Sequence, residues 1–308
     1  MAKITLAIEY MTSKLPKIIG VNQKPDEAIN KPQIFSSGFP GGLSALMSIY
    51  WKCDNLLLTR ALESIFHNTI VPDEVLVVID GPIQVDTEMV LCIYQEKYPF
   101  FKTLQLNKNQ GLAIALNEGL AIIKTRWAAR CDQDDINYPH RFEKQLACLQ
   151  KNPNAKLIGS SISEVDLDGQ LLSERRVPES DDEIKKLIPF RNPFNHMTVI
   201  YDTEFIRKLG CYPDIAYQDY GLWIKIIGNG GLAVNILEPL VYATTGDDMY
   251  RRRGGIKIAI DEFKLHHLMA HYRVRSWVGA MAWATARSAA AIMPRQAKRL
   301  LYRQYLRN

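Results

Sequence analysis

At 308 residues, 47% hydrophobic and 23% charged, the chain can bury one large core, or one core with a smaller appended segment. Collagen-like and disordered classes are excluded by that composition, and a net charge of +5 is too modest for the whole protein to be a nucleic-acid binder. The charge is unevenly placed: no acidic residue follows Glu262, whereas Lys264, Arg273, Arg275, Arg287, Arg295, Lys298, Arg299, Arg303 and Arg307 all do.

Residues 1–42 carry Pro16, Pro25, Pro32 and Pro40 with little sustained periodicity and read as an N-terminal extension. No continuous apolar run follows the first lysine, so no secretory signal is expected. Regular patterning begins with the apolar run Leu43–Tyr50, suited to a buried strand. Asn55 is placed to cap a helix reaching His67, with Leu58, Leu62, Ile65 and Phe66 facing inward. Val75–Ile79, β-branched and bounded by Asp73 and by Asp80-Gly81-Pro82, reads as a second strand. The cycle repeats with a helix at Thr87–Tyr98, a strand at Thr103–Leu106, a helix at Gly111–Ile123, a strand at Arg126–Cys131 and a helix at Pro139–Leu149. Strands alternating with helices of this length imply right-handed βαβ units and a parallel sheet, whose ligands bind beyond the carboxyl ends of the strands. Asp80 and Asp132 stand at two such ends.

Beyond residue 155 the pattern changes. Leu157–Val165 and Leu171–Arg176 flank Asp168-Gly169, a hairpin signal. A strand at Thr198–Tyr201, helices around Thr203–Leu209 and Tyr220–Ile227, and short strands at Val234–Leu237 and Leu240–Tyr242 follow. The longest apolar stretch, Trp277–Met293, is short and interrupted by Arg287, too weak for a membrane span. Cys53, Cys92, Cys131, Cys148 and Cys211 are widely spaced and form no CxxC pair, which argues against a zinc site and for buried thiols in a reducing compartment.

The sharpest chemical feature is Arg130-Cys131-Asp132-Gln133-Asp134-Asp135, directly after a strand. Its carboxylates repel one another unless a cation or buried partner offsets them. Alternate residues of an extended segment project alike, so Asp132 and Asp134 can reach one ion, and hard oxygen ligands suit Mg²⁺ or Mn²⁺. The competing reading of Asp134 or Asp135 is a cap on the helix beginning near Pro139.

The stretch Ala129–Leu146, ARCDQDDINYPHRFEKQL, resembles the DxD region of family 2 glycosyltransferases of the kind that build bacterial surface polysaccharides. Ser44–Pro82 is similar to that family's first βαβ unit, Asn109–Leu120 (NQGLAIALNEGL) to its next helix, and Asn192–Tyr201 (NPFNHMTVIY) and Tyr217–Ile226 (YQDYGLWIKI) to its acceptor-side motifs. The resemblance spans about residues 43–255. It implies a GT-A fold, an α/β architecture with a doubly wound, mostly parallel sheet, a small acceptor-side subregion and a C-terminal helical tail at 256–308. By position it implies that Ser48, Tyr50, Asp80, Asn109, Gly111, Leu112, Asn117 and Arg130 serve a nucleoside-diphosphate sugar, that Asp132 and Asp134 hold Mn²⁺ or Mg²⁺ against its diphosphate, and that Asp219 is the general base. Where the family carries Glu-Asp, this chain reads Gln218-Asp219, which puts a role for that neighbour in doubt. The expected outcome is inversion in one displacement, with a lipid-linked saccharide as acceptor.

His196 lies where the family places a residue near acceptor or diphosphate, though a lone histidine is more often structural. Trp223 is a candidate for stacking on an acceptor sugar, with core packing as the alternative. Arg252 and Arg253 can clamp the diphosphate in bidentate fashion or sit in a solvated loop. Arg295, Arg299, Arg303 and Arg307 recur at helical spacing opposite Ala297, Leu300, Leu301 and Tyr305; such a basic amphipathic helix suits an anionic membrane surface, with Trp277 and Trp283 at the same boundary. A peripheral protein on the cytoplasmic face of the inner membrane is therefore expected. The rivals are a metal-binding flavodoxin-like signalling module, a nucleotidyltransferase, for which Ser44–Asn55 offers no glycine-rich phosphate loop, and an inactive glycosyltransferase scaffold.

Overall fold

The computed structural model describes residues 37–245 and 255–292. Its first half is built of four parallel strands: β1 (Leu43–Ile49), β2 (Glu74–Ile79), β3 (Phe101–Gln105) and β4 (Trp127–Cys131). They lie in the order β3-β2-β1-β4, the arrangement that right-handed crossovers on both faces produce. The connections are α1 (Asn55–Phe66), α2 (Val85–Lys97) and α3 (Leu112–Ile122). Alternation along β1 divides the interior: Leu43, Ala45, Met47 and Ile49 pack with α1 and α2, while Leu46 packs with Leu116 and Leu120 of α3. In α1 the cap is Asp54 rather than Asn55, its Oδ1 accepting from Leu56 N at 2.9 Å and Leu57 N at 3.0 Å. The buried stripe Leu58, Leu62, Ile65 and Phe66 is the expected one.

Beyond β4 the sheet turns mixed. A short strand β5 (Ile136–Asn137) precedes α4 (Arg141–Lys151), then β6 (Ala155–Val165) and β7 (Leu171–Arg175) form the anticipated hairpin. Its turn is held by Asp166 Oδ1, which accepts from Asp168 N and Gln170 N, with Gly169 at φ +83°. Next come α5 (Asp181–Leu187), β8 (Ile200–Asp202), α6 (Thr203–Lys208), α7 (Gln218–Gly228) and β9 (Leu232–Thr244). β8 lies antiparallel between β4 and β6, and β9 runs parallel to β6. β9 is one strand where two short ones were expected. Pro239 has no N–H to give the ladder, and the register against β6 slips there, so a bulge replaces a break.

The described C-terminal part is a helical hairpin, α8 (Ile256–His271) against α9 (Trp277–Ile292). Leu265 and Met269 of α8 join Trp223 and Leu222 of α7 in the core, and Ala280, Ala284 and Ser288 face α8 at helical spacing. Among the described residues no helix is long and apolar enough to cross a membrane. Four cysteines are wholly or partly buried, but Cys92 is exposed on α2, against expectation. The residues of the basic stripe, Arg295–Arg307, and the extension 1–36 lie outside the described residues.

Candidate active site

Parallel pairing sets the geometry of the first half-site. Ile49 is in register with Ile79 and Met47 with Cys131, so Tyr50, Asp80 and Asp132 leave their strands along one edge of the sheet. Ser48 and Tyr50 are half-buried there. Asp80 is 3% exposed, and both carboxylate oxygens accept from backbone, Gln110 N at 2.7 Å and Gly111 N at 2.9 Å. Its own carbonyl accepts from Asn109 Nδ2 at 3.2 Å. The carboxylate expected to serve the nucleoside-diphosphate sugar also holds the 109–111 loop in place. Gly81, at φ +87°, allows the close approach: a Cβ there would stand 2.5 Å from Asn109 N. Gly111, at φ +94°, opens α3 and leads into half-buried Leu112. The side chain of Asn117 clasps the backbone of Tyr212, donating to its carbonyl and accepting from its N–H, both at 2.9 Å. It braces the 211–213 loop and presents no amide to an open nucleotide pocket.

At the end of β4, Arg130 is 1% exposed, and its guanidinium donates to Cys131 O and to Asp132 Oδ1. Its direction is inward, so it serves Asp132 instead of reaching a ligand in solvent. Burial, then the charge of Asp132, pushes the Asp134 carboxyl up to about 6. Asp135 is raised well above the usual range by burial and by both neighbours. Asp135 does not cap α4, whose N-cap position is His140, with no side-chain cap hydrogen bond. Its Oδ1 accepts from Thr244 N at 2.9 Å, while Thr244 Oγ1 donates to Asp134 O at 2.6 Å. The end of β9 thereby pins the acidic segment.

Three carboxyl groups of like charge therefore crowd this tip, with one buried arginine offsetting them. Among the described residues no group of three or more His, Cys, Asp or Glu is arranged to hold a metal. A donor set of Asp132 and Asp134 suits a small hard cation that takes its remaining oxygens from phosphate and water, the habit of Mg²⁺ and Mn²⁺.

A buried polar chain runs from this tip toward the second half-site. His196 Nε2 meets Tyr212 Oη at 3.0 Å, and Tyr212 Oη donates to Tyr201 Oη at 3.3 Å. Burial, aided by the Arg130 charge, holds His196 far below the ordinary histidine range, so its imidazole is neutral. Trp223 is fully buried, packed between Phe194 and His196 at 5.6 and 6.0 Å. It has no face to offer a sugar and is a core residue, because the apolar stripe of α7 turns inward.

Asp219, in the first turn of α7, accepts from Asn192 Nδ2 at 2.7 Å. Burial raises its carboxyl above the ordinary range. It lines a cavity of about 650 Å³ enclosed by β7, the 187–195 segment and the α8–α9 hairpin. Gln218, with its amide oriented to satisfy its surroundings, donates to Ile215 O and Ala216 O, both at 3.2 Å. A glutamate in that orientation would face the two carbonyls with like charge. Local reading missed Arg175, whose charge acts on Asp219, and the Glu262–Arg287 pair beneath the cavity, although Asn192 belonged to a motif already singled out. Arg252 and Arg253 lie outside the described residues.

The glycosyl transferase family 2 model matches residues 44–208. The UDP-Gal:alpha-D-GlcNAc-diphosphoundecaprenol beta-1,3-galactosyltransferase of Escherichia coli is 37% identical, over 74% of this chain and 84% of its own. The amylovoran biosynthesis glycosyltransferase AmsE of Erwinia amylovora is 32% identical, over 84% of this chain and 97% of its own. Among solved structures, S. aureus TarS 1–349 in complex with UDP-GlcNAc superposes with a TM-score of 0.64 at 16% identity, covering 85% of this chain and 76% of that one. That likeness fixes a GT-A fold.

Proposed function

The chain belongs to glycosyl transferase family 2, an enzyme family, and on that premise we propose that it transfers a hexose from a UDP-sugar to a lipid-linked saccharide in polysaccharide biosynthesis, with inversion. The family match removes the signalling module and the nucleotidyltransferase as readings. The observation that carries the proposal is Asp219: a half-buried carboxylate of raised proton affinity, positioned by Asn192 and facing a cavity of about 650 Å³.

A sugar hydroxyl becomes an effective nucleophile when a base accepts its proton as the new bond forms. Asp219 is that base, held in position by the hydrogen bond that Asn192 donates. Raised proton affinity favours the transfer. Opposite it, the edge holding Tyr50 and the 109–111 loop takes the nucleoside. Asp132 and Asp134 would hold Mn²⁺ or Mg²⁺, which when bound stabilises the charge of the departing diphosphate. Arg130 keeps Asp132 oriented, and the Thr244 contacts keep Asp134 at its post. Gln218 shapes the loop before α7, so its amide in place of a carboxylate is compatible with activity.

The diphosphoundecaprenol-linked acceptor of the Escherichia coli galactosyltransferase and the basic stripe after residue 294 support peripheral attachment to the cytoplasmic face of the membrane. Exposed Trp277, Val278 and Ile260 on the α8–α9 hairpin favour the same surface. Incubating the purified chain with a panel of UDP-hexoses and a lipid-linked saccharide tests the reading. Transfer abolished by EDTA and by Asp132→Asn is expected; transfer indifferent to both sinks the metal-dependent mechanism. Truncation before Trp277 should release the protein from anionic vesicles.

A further inference from the structure

We infer that the cavity beside Asp219 binds the diphosphate of the acceptor, an anionic linker between the acceptor sugar and its lipid. This rests on the lipid-linked acceptor proposed above and assigns the residues that recognise its charge. The walls of the cavity carry Arg175, Arg176, Arg191 and Arg287, with Asp219 as the one carboxylate lining it among the described residues. An uncharged acceptor sugar would leave the exposed guanidinium groups of Arg176 and Arg191 nothing to neutralise, whereas Arg287 is already paired with Glu262. Two phosphates would supply that charge, and planar guanidinium forks match phosphate oxygens.

The hydrogen-bonding state of the lining agrees. Among the described residues Arg191 has no side-chain ion pair, and Arg176 reaches Glu174 only at 3.9 Å, at a mostly exposed position. Arg287 is held in position by buried Glu262, its Nε donating at 2.8 Å. His266 is 3% exposed, and neither of its ring nitrogens has a hydrogen-bond partner. Its nearest carboxylate, Glu262 Oε2, stands 3.7 Å from Nε2, too far for a hydrogen bond, so this buried imidazole on the cavity wall keeps hydrogen-bonding capacity for a ligand.

Aromatic rings also line the cavity. Phe190, 61% exposed, stands edge-on to Trp283 at 6.4 Å, and the Arg275 guanidinium stacks on both rings. A cationic wall beside an aromatic lip fits an amphiphile: hydroxyl toward Asp219, phosphates among the arginines, chain leaving over Phe190 and Trp283 toward the exposed face of α9.

Because Trp283 lines the cavity, its fluorescence can report occupancy by the full-length protein. The probes are a hexosaminyl diphosphoalkane and the same alkyl glycoside without phosphates, titrated into wild type, Arg191→Ala and Arg176→Ala. Both arginines are exposed, so neither substitution disturbs packing. Wild type should bind the diphosphate probe more tightly. Each variant should shrink that preference by about tenfold, the scale of one charge-assisted hydrogen bond. Equal binding of the two probes by wild type, or an undiminished preference in both variants, overturns the assignment. So does a rise in the apparent KM for the UDP-sugar with acceptor preference unchanged, since the arginines would then grip the donor's diphosphate. Selective diphosphate binding without transfer from any UDP-sugar would instead leave this site standing and defeat the proposed reaction.

Discussion

Replacing Asp134 with asparagine stabilises the metal-free protein at alkaline pH. Burial and the charge of Asp132 carry this carboxyl from an ordinary 3.8 up to about 6. The folded state thus holds the proton more tightly than the unfolded chain, where an aspartate titrates near ~3.9. Stability from this group is therefore fully present below about pH 4 and is lost as pH rises through about 6. Once ionised, it costs the fold roughly 3 kcal/mol at about 1.4 kcal/mol per tenfold change, or about 2 kcal/mol after solvent screening of its partly exposed edge. An amide of the same shape removes that cost, and the backbone contact from Thr244 Oγ1 is untouched. For a protein of this size the gain corresponds to a melting temperature about 4 °C higher. Thermal unfolding in EDTA should show the two proteins nearly level at about pH 4 and the variant ahead at about pH 8. Adding Mn²⁺ and UDP should then raise wild type and leave Asp134→Asn almost unmoved. A variant that melts below wild type at alkaline pH in chelator would refute the claim that these carboxylates are crowded and underneutralised.

Asp219→Asn should reduce turnover by about 10²–10⁴-fold with donor affinity kept, as expected for loss of a general base. Because burial raises this carboxyl, the acid limb of kcat/KM should lie above the usual aspartate range, activity growing with pH as the base ionises; a limb at or below that range removes Asp219 from the role. Trp223→Ala should destabilise the fold by about 3–5 kcal/mol in denaturant titrations, the cost of emptying a buried aromatic site. A stable Trp223→Ala protein with only a raised acceptor KM would return this ring to the sugar.

What local pattern could and could not reveal follows from the range over which each feature is encoded. Strand–helix alternation through β4 is written in periods of two and three to four residues, and the expected segments fall within a few residues of those observed. The carboxylates at the end of β4 were legible for the same reason: strand, turn and acid are contiguous. Their partners were not. Arg130 reads as one more ligand-facing cation until the fold turns its guanidinium toward Asp132, and nothing around Asp80 in the sequence shows that Gln110 and Gly111, thirty residues on, bring their amides to it. Trp223 shows how one stripe can mislead: a large aromatic in a motif suggests a sugar platform, and only the position of Phe194 and His196 decides that its ring is enclosed.

The acceptor side depends still more on distance in sequence. Asp219 is set by Asn192, Tyr217 by Glu262 and Glu262 by Arg287, contacts spanning 27, 45 and 25 residues. α8 and α9 complete a wall whose chemistry no single segment contains. That division has a functional logic. The donor edge assembles from consecutive βαβ units, so the same local pattern can serve many chains that use nucleotide sugars. The acceptor cavity assembles from late, separate segments, each replaceable without disturbing the sheet. Specificity for an acceptor should therefore move with the 175–195 segment and the α8–α9 hairpin, while donor use stays with residues 43–135.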